Sequence, residues 1–277
     1  MIRSLNAGVS GIHQFQGRLD VIGNNIANSN TTGFKAGRAD FGDAFSQSLN
    51  SSGGQVGSGV ATTSIRNLFN QGSVTRSETD THLAIQGEGY FMVKDPVSGE
   101  LFATRAGDFE FDKEGFLVTS GGFRLQGYSD GGLNTVGDLK VDATGAPASA
   151  AADAQYDGFT ITPSGLIEVR LSDSTKFTRG QVLLQNFRDP QALLKEGNNL
   201  YSGIAAAGPL GGAESPTMAA PKSGGLGGIK ANALEASNVD LTNEFANLIT
   251  TQRAFQASAR IITTSDEILQ EVVNLKR

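Results

Sequence analysis

Three acids alternate along one short run: Asp108, Glu110 and Asp112. Two carboxylates facing each other across a cleft are what glycoside hydrolysis needs. Here the acids are interleaved with Phe109 and Phe111, which favours a plainer reading, the wet side of a half-buried strand. Gly87-Glu88-Gly89 begins like a phosphate loop but lacks the third glycine and the Lys–Ser/Thr pair that would hold phosphates. It reads as a tight turn or a close backbone approach between strands. Asp112-Lys113-Glu114-Gly115 lacks the alternating acidic ligands of a calcium loop and reads as a hairpin turn. The two histidines, His13 and His82, offer no HxxxH or HExxH spacing for a metal, and each reads as a surface or interface residue. No serine, histidine and acid constellation is assignable. The expectation is a protein that is not an enzyme and uses no cofactor or metal.

Composition narrows the field. The 277 residues suffice for one large domain or two modest ones. With no cysteine there is no disulfide scaffold, no thiolate nucleophile and no Cys-based zinc or iron–sulfur site. A formal charge of -6 argues against nucleic acid as the main partner. No run approaches eighteen consecutive apolar residues, so no membrane-spanning helix is expected. The start, MIRSLNAGVSGIHQ, has no apolar core of a secretory signal and no obvious cleavage site.

With so little chemistry to position, the most organised stretches are the two ends. Stepping by four and three from Leu241 reaches Phe245, Leu248, Gln252, Phe255, Ala259, Ile262, Asp266, Leu269 and Val273. That mostly apolar seam, free of Gly and Pro, predicts a long helix that packs lengthwise on other helices. Asp240 is its N-cap candidate, Glu244 suits the positive end of the helix dipole, and Lys276 and Arg277 suit the negative end. At 1.5 Å per residue it would be about 50 Å long. The same stepping near the N-terminus gives Leu5, Val9, Ile12, Gln16, Leu19, Gly23 and Ile26, with Ile22 widening the stripe. Gly8, Gly11, Gly17 and Gly23 lie inside this helix, each costing about 1 kcal/mol relative to Ala. Two readings stay open: an amphipathic helix covering a core, or a segment that becomes helical only when neighbours pack on it. Glycine on the helix surface also lets another helix come close.

The first helix should stop near Asn28. Residues 29–75 read as an extended connecting arm, in which Phe41 and Phe45 are spaced for a short helix but Gly37 and Gly42 argue equally for irregular chain. VATTSIRNLF is compatible with a strand. From about residue 76 the hydrophobic period becomes two, and the segments from His82 to Phe187 read as strands separated by turn sequences. The expected fold class is α+β: N- and C-terminal helices pair as a coiled-coil-like stalk around an inserted all-β domain. Residues 1–28 and 231–277 would form the discontinuous helical domain, 76–202 the β domain, and 203–230 a flexible Gly/Ala/Pro-rich linker.

LDVIGNNIANSNTTGFK (Leu19–Lys35), with Asn24, Asn25, Asn28, Thr32, Gly33, Phe34 and Lys35, resembles the signature of the bacterial flagellar rod and hook proteins. GEGYF, TRAGDF, DKEGFLV and LQGY look like the landmarks of that family's β domain. FRDPQALLKEGNNLYS is similar to its stretch before the linker, and Ala233–Arg277 to its closing helix. Within the family, ALEASNVDL and VNLKR look most like the hook protein. Hook proteins usually carry a further outer β domain for which this chain has little room, so the distal rod is the alternative.

The resemblance implies a structural subunit of the flagellar axis that is exported unfolded through a flagellum-specific channel without a cleaved signal peptide. Subunits would polymerise into a tube that transmits motor torque, terminal helices on its inner wall and β domains outside. The implied partners are sister copies, neighbouring rod, hook-cap and hook–filament junction proteins, and the export apparatus. The implied location is the basal body or hook, outside the cytoplasm. The assembly seam would comprise Leu5, Val9, Ile12, Leu19, Ile22 and Ile26 with Leu241, Phe245, Leu248, Phe255, Ile262, Leu269 and Val273.

Overall fold

The structure, a computed structural model, describes residues 2–44, 46–48, 55–57, 59–142, 144–145, 147, 155–210 and 218–275. The chain forms two compact units. One comprises Met1–Ser29, Lys35–Phe69 and Val239–Arg277, the other Asn30–Phe34 and Asn70–Asn238.

The first unit is built on two helices, α1 (Ile2–Ala27) and α2 (Leu241–Leu275). Asp240 caps α2 as its side chain predicts: Oδ1 accepts from the backbone of Thr242 at 2.9 Å and Asn243 at 3.3 Å, satisfying two donors that a helix start leaves open. Lys276 and Arg277, expected at the other end, lie outside the described residues. The helices run antiparallel. Asn25, near the end of α1, meets Glu244 in the first turn of α2, and Gly8, near the start of α1, lies against Ser258 and Ile262. A Cβ at Gly8 would sit 3.1 Å from Ile262 Cγ1, and one at Gly11 3.2 Å from Ser258 Oγ. Those two glycines therefore set the close approach of the helices. Gly17 and Gly23 have open space beside them.

The expected arm is a β-hairpin instead, over Lys35–Phe69. Gly37–Asp43 pairs antiparallel with Val60–Asn67, with a bulge between Asp40 and Phe41. The β-branched run Val60, Thr62, Thr63 and Ile65 favours extended backbone. Phe41 thus sits on a strand, not a helix, and packs edge-on to Phe15 of α1 with ring centroids 6.3 Å apart. Phe45 lies outside the described residues. Ser10 Oγ accepts from the backbone of Val60 at 3.3 Å, and Thr62 Oγ1 donates to Gln14 Oε1, so α1 carries the hairpin on one flank.

The second unit is the all-β module. Its central strand, Tyr90–Lys94, pairs antiparallel with Leu101–Thr104, Arg124–Tyr128 and Leu184–Gln185. Tyr156–Ile161, Leu166–Leu171 and Lys176–Val182 follow as an antiparallel meander. In Leu166–Leu171 the alternation is plain: Ile167, Val169 and Leu171 point into the core between more exposed neighbours. The turns fall at their sequence signals, with Gly99, Gly115, Gly122 and Gly165 at positive φ. Phe91 is fully buried and stacks edge-on to Phe109, centroids 5.3 Å apart. Phe91→Ala is expected to destabilise this unit by about 3–5 kcal/mol. An unchanged thermal midpoint of the β module would show that Phe91 does not anchor its core.

The boundaries expected for the module move outward at both ends. Val74–Arg76 pairs with Ala233–Glu235, and Leu83–Gln86 with Gly228–Ala231. Ala231 and Ala233–Glu235, expected within the helical domain, are thus strand residues of the β unit. The described parts of the expected linker 203–230 are packed: Ala207, Leu226 and Ile229 are buried, and Ala219 exchanges both backbone hydrogen bonds with Leu184. Its small residues reflect close approach rather than slack.

Asp142 offers a pH handle on the module. Burial raises its pKa, but Arg179 (2.7 Å), Lys140 (3.2 Å) and Thr144 outweigh that and hold it at about 2, below an unperturbed 3.8. A depressed carboxyl stabilises the fold above its unfolded pKa and loses that contribution as pH falls through its folded one. The gap in urea midpoint between the parent and Asp142→Asn is therefore expected to be full above pH 3.8 and to close as pH approaches about 2. A gap independent of pH would contradict the assignment.

Candidate functional site

The carboxylates that opened the sequence reading do not converge on a reaction centre. Asp108 is half-buried, and desolvation raises its pKa. Glu110 and Asp112 are exposed, and Phe109 turns into the core. Asp108 borders a cavity of about 180 Å³ whose other walls are hydroxyl, amide and apolar groups, including Thr31, Thr119, Ser120 and Asn199. Gly87 and Gly89 take positive φ and lie against Gly227 and Leu226, the close backbone approach expected of them. His82 Nδ1 is hydrogen-bonded to Ser77 Oγ at 2.7 Å, and His13 is exposed. Among the described residues no group of three His, Asp or Glu side chains is placed to hold a metal.

The motif residues have structural work instead. Asn25 is almost fully buried. Its side-chain amide makes a two-point pairing with the backbone of Gly37, Nδ2 donating to the carbonyl at 2.8 Å and Oδ1 accepting from N–H at 2.9 Å. Nδ2 also reaches Glu244 Oε1 at 3.3 Å. One side chain therefore ties α1, the hairpin and the start of α2. Burial raises the Glu244 pKa, against the hydrogen bond from Asn25. Asn28 closes α1, its Nδ2 donating to the Asn24 carbonyl at 3.0 Å and to Asn24 Oδ1 at 2.9 Å. Within the β unit Thr32 accepts at its carbonyl from Asn199 Nδ2 at 2.7 Å. Gly33 has φ +69, and a Cβ there would fall 2.6 Å from the backbone N of Ala106. Both conditions demand glycine. Phe34 is buried beneath the Lys195 ammonium, 4.8 Å from the ring centroid, and Lys35 is also buried.

Gly33 leads to a buried ion pair that sequence inspection missed. Its N–H donates to the Glu235 carbonyl at 2.8 Å. Glu235, fully buried, accepts from Gly72 N at 2.9 Å and from Arg105 Nη1 at 3.4 Å. The Arg105 guanidinium lies 5.1 Å from the Tyr90 ring centroid. Burial pushes Tyr201 beside it up to about 12. The pair thus knots four separate segments of the β unit. Its partners are 130 residues or more apart, and no local pattern announces such a pairing.

What remains uncovered lies on the helices. Of the expected α1 seam, Ile22 is buried, Leu5, Ile12, Leu19 and Ile26 are half-buried, and Val9 is exposed. Of the α2 seam, Leu248, Phe255, Ile262 and Leu269 are half-buried, while Leu241, Phe245 and Val273 are exposed. The buried residues of α2 are Thr251 and Ser265, interleaved with half-buried seam residues on the face turned to α1, where Ile262 meets Gly8. The two helices therefore pair within one chain, as the expected helical stalk requires. Large apolar side chains are left outside, including Ile249, Ile261, Ile268, Val272 and Leu275, which the seam did not include. No helix among the described residues is long and apolar enough to cross a membrane.

Comparisons with known proteins cover the same parts. The family model "Flagella basal body rod protein" matches residues 5–35, "Flagellar hook protein FlgE/F/G D1 domain" matches 84–169, and "Flagellar basal body rod FlgEFG protein C-terminal" matches 230–275. Flagellar basal-body rod protein FlgG of Bacillus subtilis (strain 168) is 38% identical over 288 residues, covering 100% of both chains. The chain belongs to the flagellar rod and hook protein family. FlgG of Caulobacter vibrioides is 35% identical over 289 residues, covering 99% of this chain and 100% of that one. Flagellar hook protein FlgE of Borreliella burgdorferi is 27% identical, over an alignment of 449 residues. The rod relatives align with few gaps, whereas this hook relative is much longer than the 277 residues here. The similarities therefore favour the rod over the hook, reversing the preference drawn from ALEASNVDL and VNLKR. The family is one of structural flagellar proteins, and the α+β organisation is that expected of it.

Proposed function

We propose that this chain is a subunit of the distal rod of the flagellar basal body and polymerises through its terminal helices. The observation that carries the proposal is the uncovered apolar surface of the paired helices: Phe245 and Ile268 are 51% and 48% exposed on a helix already packed along another face. A solitary protein gains nothing from such stripes, whereas association buries them. Contacts that repeat without closing generate an open helical tube, which suits a rigid torque-bearing shaft. The assembly residues are the exposed and half-buried members of the seams, from Leu5, Val9, Ile12, Leu19 and Ile26 on α1 and from Leu241, Phe245, Leu248, Phe255, Ile262, Leu269 and Val273 on α2. Ile22 serves the interior of the unit.

Export without a cleaved signal, a place outside the cytoplasm, and junctions with neighbouring axial proteins belong to the same proposal. Length and identity shared with the rod proteins support it over the hook reading. Labelling the protein in intact flagella tests it. Signal confined within the cell envelope is the expected result, and signal along the external hook would overturn the rod assignment.

A further inference from the structure

Charges as well as apolar residues are sorted along the outside of α2. Arg253, Arg260, Glu267 and Glu271 are all exposed, and none forms an ion pair among the described residues. Their spacings of seven, seven and four place them on one side of the helix. Both bases lie in the middle of α2, and both acids lie in its last third. The acids sit toward the end where the helix dipole disfavours them, so the stability of α2 does not explain their placement. Immediately beside them runs an apolar stripe, Ile261, Ile268, Val272 and Leu275, also exposed. An apolar stripe flanked by charges is the arrangement by which packed helices choose partner and orientation.

Resting on the polymer reading above, we propose that this side of α2 docks on α2 of a second copy. The two helices run in the same direction, staggered so that Arg253 and Arg260 of one copy lie beside Glu267 and Glu271 of the next. Charge complementarity selects the occupant, because the surface carries both halves of the match. Arg253 to Glu267 is fourteen residues and Arg260 to Glu271 eleven, so the stagger is about 16–21 Å at 1.5 Å per residue. An antiparallel, two-fold pairing would satisfy the same charges but would close after two copies. A staggered parallel contact leaves a free basic segment at one end and a free acidic segment at the other, and so continues.

Charge reversal tests the match. Arg253→Glu with Arg260→Glu, or Glu267→Lys with Glu271→Lys, is expected to raise the critical concentration for polymerisation at least about tenfold. Carrying all four changes in one chain should restore it. The helices of each variant should keep their circular dichroism, since all four positions are exposed. The chain has no cysteine, so Thr250→Cys with Thr264→Cys, both exposed on this side of α2 and fourteen residues apart, provides a cross-linking pair for the direction that leaves the four charges in place. Oxidation should give a ladder of covalent multimers. Cross-linking that stops at dimers would overturn the parallel stagger, and a four-fold variant as defective as its parents would overturn the charge match. If the unaltered chain itself does not polymerise, the failure lies with the proposed function rather than with this contact.

Discussion

Glu235→Ala is expected to lower the stability of the β unit by about 3–5 kcal/mol, the cost of removing one member of a buried ion pair and stranding the other. Two consequences act together. Gly72 N–H loses its acceptor. The Arg105 guanidinium, 5% exposed, keeps its charge and loses its counter-ion. Arg105 Nε already has no hydrogen-bond partner among the described residues, so the arginine has little to fall back on. For a unit of this size the loss corresponds to roughly 6–20 °C in thermal midpoint. Because the two side chains act as one, the double variant Arg105→Ala/Glu235→Ala should cost clearly less than the sum of the single changes. Additive costs in urea unfolding would show that the pair is not coupled.

Ile268→Asp and Phe245→Asp are expected to do the opposite: leave the fold and remove the assembly. Both side chains are about half exposed, so neither charge enters the interior of its own chain. Burying such a residue against a partner contributes about 1.5–3 kcal/mol, so each substitution should raise the critical concentration about ten- to a hundredfold. Sedimentation alongside a melting curve separates the outcomes. Normal assembly by both variants would place the polymer contact elsewhere, and a drop in melting temperature would place these residues in the interior of the first unit.

Much of this was readable in the residues, and the failures have physical causes. Period-two runs and glycine turns located the strands from His82 to Phe187, and Asp240 announced the start of α2, because those signals are local. The helix seam was legible only in part. Counting large apolar residues found Leu248, Phe255, Ile262 and Leu269, which are half-buried, but passed over the exposed Ile249, Ile261, Ile268 and Val272. It also missed the buried Thr251 and Ser265. Their hydroxyls donate back to the carbonyls of Asn247 at 2.6 Å and Ile261 at 2.7 Å, so burial leaves neither unpaired. Gly8 and Gly11, against Ser258 and Ile262, supply closeness rather than apolar area. The same blindness to small residues turned the packed stretch around Ala207 and Leu226 into a linker. Arg105–Glu235 was invisible for a different reason, since its members come from distant segments with nothing local to mark them. The motif from Asn24 to Lys35 was recognised as a signature, but its purpose became legible only with the backbone of Gly37 and Glu235 and the side chain of Asn199 around it.

A single thiol on the outer face of α2 tests the central claim most directly. Ile268→Cys adds the chain's one cysteine at a position open to solvent in the lone molecule. Maleimide should label it rapidly in dilute protein and far more slowly once polymers have formed, as sister helices cover it. Equal labelling rates in the two states would mean that this surface stays uncovered, and that these helices are not where the subunits meet.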